Sequence, residues 1–341
     1  MKTKNKKRLI HRKRNNPPHN IQNGGGQQTV QALTYNLSWA SQQAEERGSE
    51  ADFVAQCKRV KRNCYQQALK KIKELHYSYK FDVIGIQEVV DPKLVAAICR
   101  STGLTGWYRG ATWKSIEQIW SECAIIWNTH TLGTMETGKT INLAKVDENN
   151  NCDARTCCIV TTSYDYNLIV AHFPWLNRKE DILAITEIID AHISSNGPII
   201  ILADTNDAKT LITKDFPLII KNRKLSHGLS KEEARESIKS CCWHEKDHKF
   251  KWQHLTDTGD YILSEKVPLI GVPLPYPSNE SSETELYSDH MPVVAEVILE
   301  HNRATSRNNT RKLRARSASA QPYTKKTSTI KSRTRIKSVP F

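Results

Sequence analysis

Short apolar runs alternate with polar punctuation along the chain, and the spacing of the apolar residues separates strands from helices. Residues 29–37, TVQALTYNL, read as a short strand. Phe53, Cys57, Val60, Cys64, Ala68, Ile72 and Leu75 recur at helical spacing and predict a long amphipathic helix. FDVIGIQEV (81–89) and PIIILAD (198–204) are almost continuously apolar, as strands buried on both faces are. A short helix is expected at PKLVAAICR, with Pro92 early in it, and a second amphipathic helix at KEDILAITEIIDAHISS (179–195). Further strands are expected at 106–113, 122–128, 157–162, 167–173, 260–264 and 291–299. KEEARESIKS (231–240) reads as a helix of mixed charge on a solvated face. Two buried strands, each preceded by a helix and flanked by other strands, predict a two-layered sheet core with helices outside.

The two ends do not follow this pattern. Residues 1–27 combine a basic run with PP and NGGGQQ, and residues 301–341 are rich in Ser, Thr, Arg and Lys with almost no aromatics. Neither segment can bury a core, so both are expected to be disordered basic arms around one domain at 28–300. They account for the 38% hydrophobic content and the mean hydropathy of −0.58. They also account for the net charge of +14. Residues 1–14 carry eight Lys/Arg and residues 301–341 carry twelve, neither with any acid. Between them thirty basic residues face thirty-six acidic ones, which leaves 15–300 at about −6. No apolar run approaches the length of a membrane span, and the basic N-terminus has no apolar stretch of a secretory signal behind it. Nine Cys, with adjacent pairs at Cys157–Cys158 and Cys241–Cys242, do not form a disulfide framework. A reduced intracellular compartment is expected, nuclear or virion-associated locations being compatible with the basic arms.

Polar residues gather where the apolar runs stop. Asn36 ends the first strand, Glu88 the second, His172 a middle one, and Asp204 with Asn206 the strand at 198–204; Asp289 and His290 precede the last. Singly each has an ordinary explanation: a turn-forming Asn, a solvated Glu, a helix-capping Asp, a satisfied core His. Five strand ends together would need five coincidences. A hard divalent cation takes carboxylate and amide oxygens, which Glu88, Asp289 and Asn36 could supply. Asp204 with Asn206 could hold and deprotonate a water for attack on phosphorus, and histidines could stabilise the charge that develops.

TYNLSW, IQEV, AHFPWL, ADTND, TGDYIL and YSDHMPV, in this order, resemble the endonuclease/exonuclease/phosphatase superfamily over about residues 28–300. The resemblance implies a four-layered α/β sandwich, two β-sheets packed face to face with helices outside, and Mg²⁺-dependent phosphoester hydrolysis, with Mn²⁺ as a substitute. It implies that Glu88 is the principal metal carboxylate, aided by Asn36 and Asp289. Asp204 and Asn206 would orient the water and the phosphate, and His290 would contact the phosphate, oriented by Asp260. His172 matches the middle histidine of the deoxyribonuclease-like branches, and Glu122 stands where those branches place its carboxylate partner. Ala203 departs from the Gly that usually precedes this Asp, and Asp207 offers an extra carboxylate without an assigned role.

The superfamily resemblance leaves the substrate open. Inositol 5-phosphatase signatures are missing, and the basic arms favour a polyanion, so a nuclease acting on DNA or RNA is expected. The alternatives are a phosphomonoesterase or lipid phosphodiesterase with the same machinery, or an idle nucleic-acid-binding protein. Trp107, Trp113, Trp120, Trp127 and Trp175 raise base stacking, with Trp175 the best placed to face substrate. CCWHEKDHKFKWQH (241–254) does not have the spacing of a zinc finger and reads as a substrate-side loop. A monomer is expected.

Overall fold

The structure is a computed structural model that describes residues 27–38, 64–89, 92–115, 118–146, 152–174, 178–206, 211–237, 239–243, 255–257, 259–271, 288 and 290–300. The expected basic arms, other than Gln27, lie outside the described residues, as do Asp289, Asp207, Trp175 and 244–254.

Two sheets form the centre. The six-stranded sheet runs in the order β14 (Leu269–Gly271), β15 (Val293–Glu300), β1 (Gln27–Asn36), β2 (Val83–Gln87), β4 (Gln118–Trp127), β3 (Gly106–Ser115). The five-stranded sheet runs β13 (Asp260–Leu263), β8 (Ile199–Asp204), β7 (Asn167–His172), β6 (Cys152–Thr162), β5 (Met135–Val146). β1 with β2 and β7 with β8 are parallel; the other neighbours are antiparallel. Two small ribbons pair β9 (Leu218–Ile220) with β10 (Arg223–Leu225), and β11 (Cys241–Trp243) with β12 (Leu255–Asp257). The helices are α1 (Cys64–Tyr79), α2 (Pro92–Thr102), the single turn α3 (Thr129–Leu132), α4 (Lys179–His192) and α5 (Lys231–Ser237).

Strand alternation explains why the central runs are apolar at every position. Side chains of successive strand residues point to opposite faces. In β7 and β8, Leu168, Val170, Ile200 and Leu202 face the other sheet, where they meet Ala32, Val83 and Ile125. Ile169, Ala171, Ile201 and Ala203 face outward against Ile182, Ile185 and Ile189 of α4. On the far side Leu33, Tyr35, Ile84, Ile86, Ala124 and Ile126 pack on Ala68, Ile72 and Leu75 of α1 and Leu94, Val95 and Ile98 of α2. Three apolar layers thus separate helices, sheet, sheet and helix: the four-layered α/β sandwich expected from the motifs. Each fully buried Leu or Ile contributes roughly 1.5–3 kcal/mol.

The structure adds to the strand pattern at its edges. β5 was not anticipated because it is an edge strand: Met135 to Lys139 are exposed, and the apolar residues buried in its described part are Ile141 and Leu143. The long helix is described from Cys64 onward; its expected start at 53–63 lies outside the described residues. The solvated helix at 231–240 is corrected: α5 stops at Ser237 and Ser240 is fully buried. Trp127 is a core residue, its Nε1 donating to Gly133 O at 2.8 Å, whereas Trp107 is 56% exposed. Cys99, Cys123, Cys157 and Cys158 are free thiols. Among the described residues no helix is long and apolar enough to cross a membrane.

The sheets approach closely at Gly85 in β2. A Cβ there would lie 2.5 Å from Leu202 Cβ and 2.8 Å from Val170 Cγ2, both on the opposite sheet. Gly85→Ala is therefore expected to destabilise the fold by about 1–3 kcal/mol, as overpacking does, and denaturant unfolding measures it.

Candidate active site

Alternation also places the polar residues. Tyr35, Ala171, Ala203 and Tyr261 face the outer layers, so Asn36, His172, Asp204 and Asp260, one position away, face the space between the sheets. All four are buried at one end of the inter-sheet core. Register sets them side by side, His172 opposite Asp204 in the β7–β8 ladder and Asp260 opposite Asp204 in β13–β8. Ala203 continues the ladder regularly, paired with Ala171 and Tyr261, so its methyl is accommodated in the outer layer.

Glu88 reaches the same place by breaking the alternation. Gln87 faces inward, its Nε2 donating to Leu202 O on the other sheet at 3.0 Å, so a continued strand would turn Glu88 away. Instead Glu88 has φ 58°, a left-handed conformation that costs a non-glycine residue on the order of 1–2 kcal/mol. Val89 N–H donates to Glu122 O at 3.0 Å and fixes the chain beyond the turn. The carboxylate then accepts from Asn36 Nδ2 at 3.0 Å, and lies 3.7 Å from His172 Nδ1.

Asn36, expected to offer an oxygen to a metal, points its amide nitrogen at two carboxylates in this structure. Its Nδ2 donates to both Glu88 Oε1 and Asp204 Oδ2, the latter at 2.8 Å, while its Oδ1 accepts from Ser38 N–H at 2.9 Å. Turning the amide over would set an oxygen against two carboxylates and lose the Ser38 bond. Asn36 therefore holds two carboxylates together.

Asp204 is the centre of the group. Oδ1 accepts from Asn206 N–H at 3.0 Å, and Oδ2 lies 3.6 Å from His172 Nε2 and 3.8 Å from His290 Nε2. Burial pushes its carboxyl up to about 6, with Asp260 adding to the rise; His290, Asn36 and Asn206 act against it. Asn206, with φ 49°, spends its Nδ2 on Phe173 O at 2.7 Å, which ties the ends of β7 and β8 together. His290 Nδ1 bonds Asp260 Oδ2 at 2.9 Å, which turns Nε2 toward Asp204. The carboxylate accepts the Nδ1 proton, and Nε2 donates to an oxygen when the ring is the imidazolium.

Glu122 departs from the expected pairing. It is held by Arg109 Nε at 2.9 Å, and burial pushes its carboxyl up to about 7 despite that guanidinium. The carboxylates beside His172 are Glu88 and Asp204. β-Alternation explains this: Glu122 shares the parity of Ala124, which faces α2, not the inter-sheet space. Glu122 still touches the site through its backbone bond to Val89.

Two serines complete the group. Ser288 Oγ donates to Asn36 O at 2.7 Å and accepts from His290 N–H at 3.1 Å, tying the last site segment to the first. Its place before Asp289 and His290 was the signal for it. Ser240, in a stretch read as solvated, carried no such signal.

The donor set suits a hard divalent cation. Glu88 and Asp204 are buried carboxylates that converge on one neutral amide, chemistry that such a cation takes readily. Ligand atoms of Asp204, Asp260 and His290 lie within 4.8 Å of one another and could also hold an ion.

No family model and no curated protein matches the chain. Solved structures are similar to it at low identity. Truncated Caenorhabditis elegans TDP2 is 13% identical over 80% of this chain and 98% of that one, with a TM-score of 0.46. ANGEL2, a 2′,3′-cyclic phosphatase, is 14% identical over 81% and 96%, at 0.47. The AP endonuclease LMAP of Leishmania major is 12% identical over 80% and 88%, at 0.41. The fold of this chain rests on its own strand order and register, which set out the four-layered sandwich.

Proposed function

We propose that the chain is a divalent-metal-dependent phosphodiesterase, a nuclease that hydrolyses DNA or RNA by in-line attack of water on phosphorus. The observation that supports this reading is the buried convergence of His172, His290 and Asn36 on one carboxylate oxygen of Asp204, with Glu88 alongside. Glu88 and Asp289, the latter outside the described residues, would hold Mg²⁺ or Mn²⁺, which when bound neutralises charge on the phosphoryl oxygens.

The remaining work falls to the chain. Asp204 accepts the proton of the attacking water: a carboxyl raised to about 6 is a stronger base than an ordinary one, yet ionised at neutral pH. Asn36 and the Asn206 N–H hold that carboxylate in one orientation. His290, oriented by Asp260, turns Nε2 to a phosphoryl oxygen, and His172 offers a second imidazole beside it. The basic segments at 1–14 and 301–341 bind the phosphate backbone by counterion release, which supplies affinity without sequence preference.

Glu88→Gln is expected to lower Mg²⁺-dependent cleavage of a labelled oligonucleotide by about 10²-fold or more, and unchanged cleavage would refute the metal assignment. Because Asp204 must be ionised to take a proton, kcat/KM is expected to fall about tenfold per unit as pH drops below about 6. A pH–rate profile flat down to pH 5 contradicts that role. Deleting 1–14 and 301–341 is expected to weaken nucleic-acid binding and flatten its dependence on salt, while leaving hydrolysis of bis(p-nitrophenyl) phosphate intact. Binding titrations at several salt concentrations measure the change.

A further inference from the structure

The Asp260–His290 pair spans the two sheets. Asp260 opens β13 at the edge of the five-stranded sheet, whereas His290 precedes β15 of the six-stranded one. The 2.9 Å bond between them therefore depends on how the two sheets are held at this end. On its N-terminal side His290 is fixed to β1 through Ser288. On its C-terminal side the tie is Ser240. Met291 N–H donates to Ser240 O at 2.7 Å, and Asp260 N–H donates to Ser240 Oγ at 3.1 Å. One residue thus bonds the backbone of both partners' segments, and it is fully buried.

The need for this acceptor follows from topology. β13 is an edge strand, so alternate backbone N–H groups face away from β8 and require another partner. Asp260 is itself fully buried, so water does not supply one at its surface. Ser240 is placed to do so by the ribbon it leads into: Cys241 of β11 is in register with Asp257 of β12, and the chain reaches Asp260 three residues later. The ribbon sets the distance from Ser240 to Asp260, and the Ser240 carbonyl carries that setting to Met291.

We propose that Ser240 is a positioning residue, which acts through Asp260 to keep His290 Nε2 aimed at the reacting phosphate; its effect on catalysis rests on the function proposed above. Ser240→Ala removes the hydroxyl acceptor and leaves the carbonyl bond to Met291. The test uses the full chain and two readouts. The first is the downfield NMR signal of the His290 Nδ1 proton, identified by its loss in Asp260→Asn. The second is Mg²⁺-dependent hydrolysis of bis(p-nitrophenyl) phosphate.

In Ser240→Ala the signal is expected to broaden or vanish, and kcat to fall roughly ten- to a hundredfold with KM changed less than about twofold. In the Asp260→Asn background the same substitution should have no further effect on kcat, because the two act as a unit. Ser240→Thr and Ser240→Val, alike in shape, should differ in the same sense, and they decide the matter if the Ala variant does not fold. Retention of the signal and of kcat in Ser240→Ala overturns the proposal, as does an equal loss of kcat with and without Asp260. A wild-type chain that hydrolyses no phosphoester with any divalent metal overturns the proposed function instead, and the NMR signal alone then decides the clamp.

Discussion

Everything at the polar end of this sandwich depends on holding one ionised carboxylate in a place that disfavours its charge. Asp204 is almost completely buried, and its carboxyl stands at about 6 against 3.8 for an exposed one. Between those values the folded chain binds a proton that the unfolded chain has released. Stability therefore falls as pH rises through that window. At neutral pH the ionised group is a standing cost, offset by Asn36, by the Asn206 N–H and by the neighbouring imidazole of His290. A cation bound nearby would relieve it further. The same tension gives the carboxylate its basicity, so the feature that costs stability is the one that the proposed hydrolysis would use.

The fold concentrates this cost where other costs are also borne. Glu88 leaves β2 in a left-handed turn, Gly85 three residues earlier lets the sheets touch, and Gln87 between them bonds the opposite sheet. Three devices within four residues fix how β2 sits over β8, and hence how Glu88 sits beside Asp204. A looser arrangement of the sheets would keep most of the apolar burial and lose the site.

Much of this was legible in the sequence because burial on both faces leaves a simple record. The continuous apolar runs at 81–89 and 198–204 are the two central strands, and the polar residues that stop such runs are the ones that line the inter-sheet rim. Parity, which a sequence displays but motif matching overlooks, separates the polar residues that meet at the rim from the one that does not. Asn36, His172, Asp204 and Asp260 share the inward parity and meet; Glu122 has the outward parity and pairs with Arg109. Glu88 is the exception, because no pattern of apolar residues announces a left-handed turn. β5 escaped notice for a different reason: an edge strand exposed along half its length lacks the apolar density by which strands are recognised. The residue type of Asn36 allows it to offer an oxygen, and only the positions of Ser38 and the two carboxylates decide which end of the amide faces inward here.

Ser240 marks the limit of such reading. A serine after a run of charged residues has no apolar period, no partner spacing and no unusual neighbour except the two cysteines that follow. Its importance comes from an accounting that only the folded chain allows. An edge strand leaves backbone N–H groups unpaired, and one of them belongs to the residue that orients His290. The acceptor could have come from any loop near β13. It comes from the start of a ribbon whose other strand leads into β13, so the short segment that must meet Asp260 is measured out by the same chain that delivers Asp260. A local ribbon of three-residue strands can therefore set the geometry of a pair that belongs to two different sheets, which neither sheet could do through its own ladder.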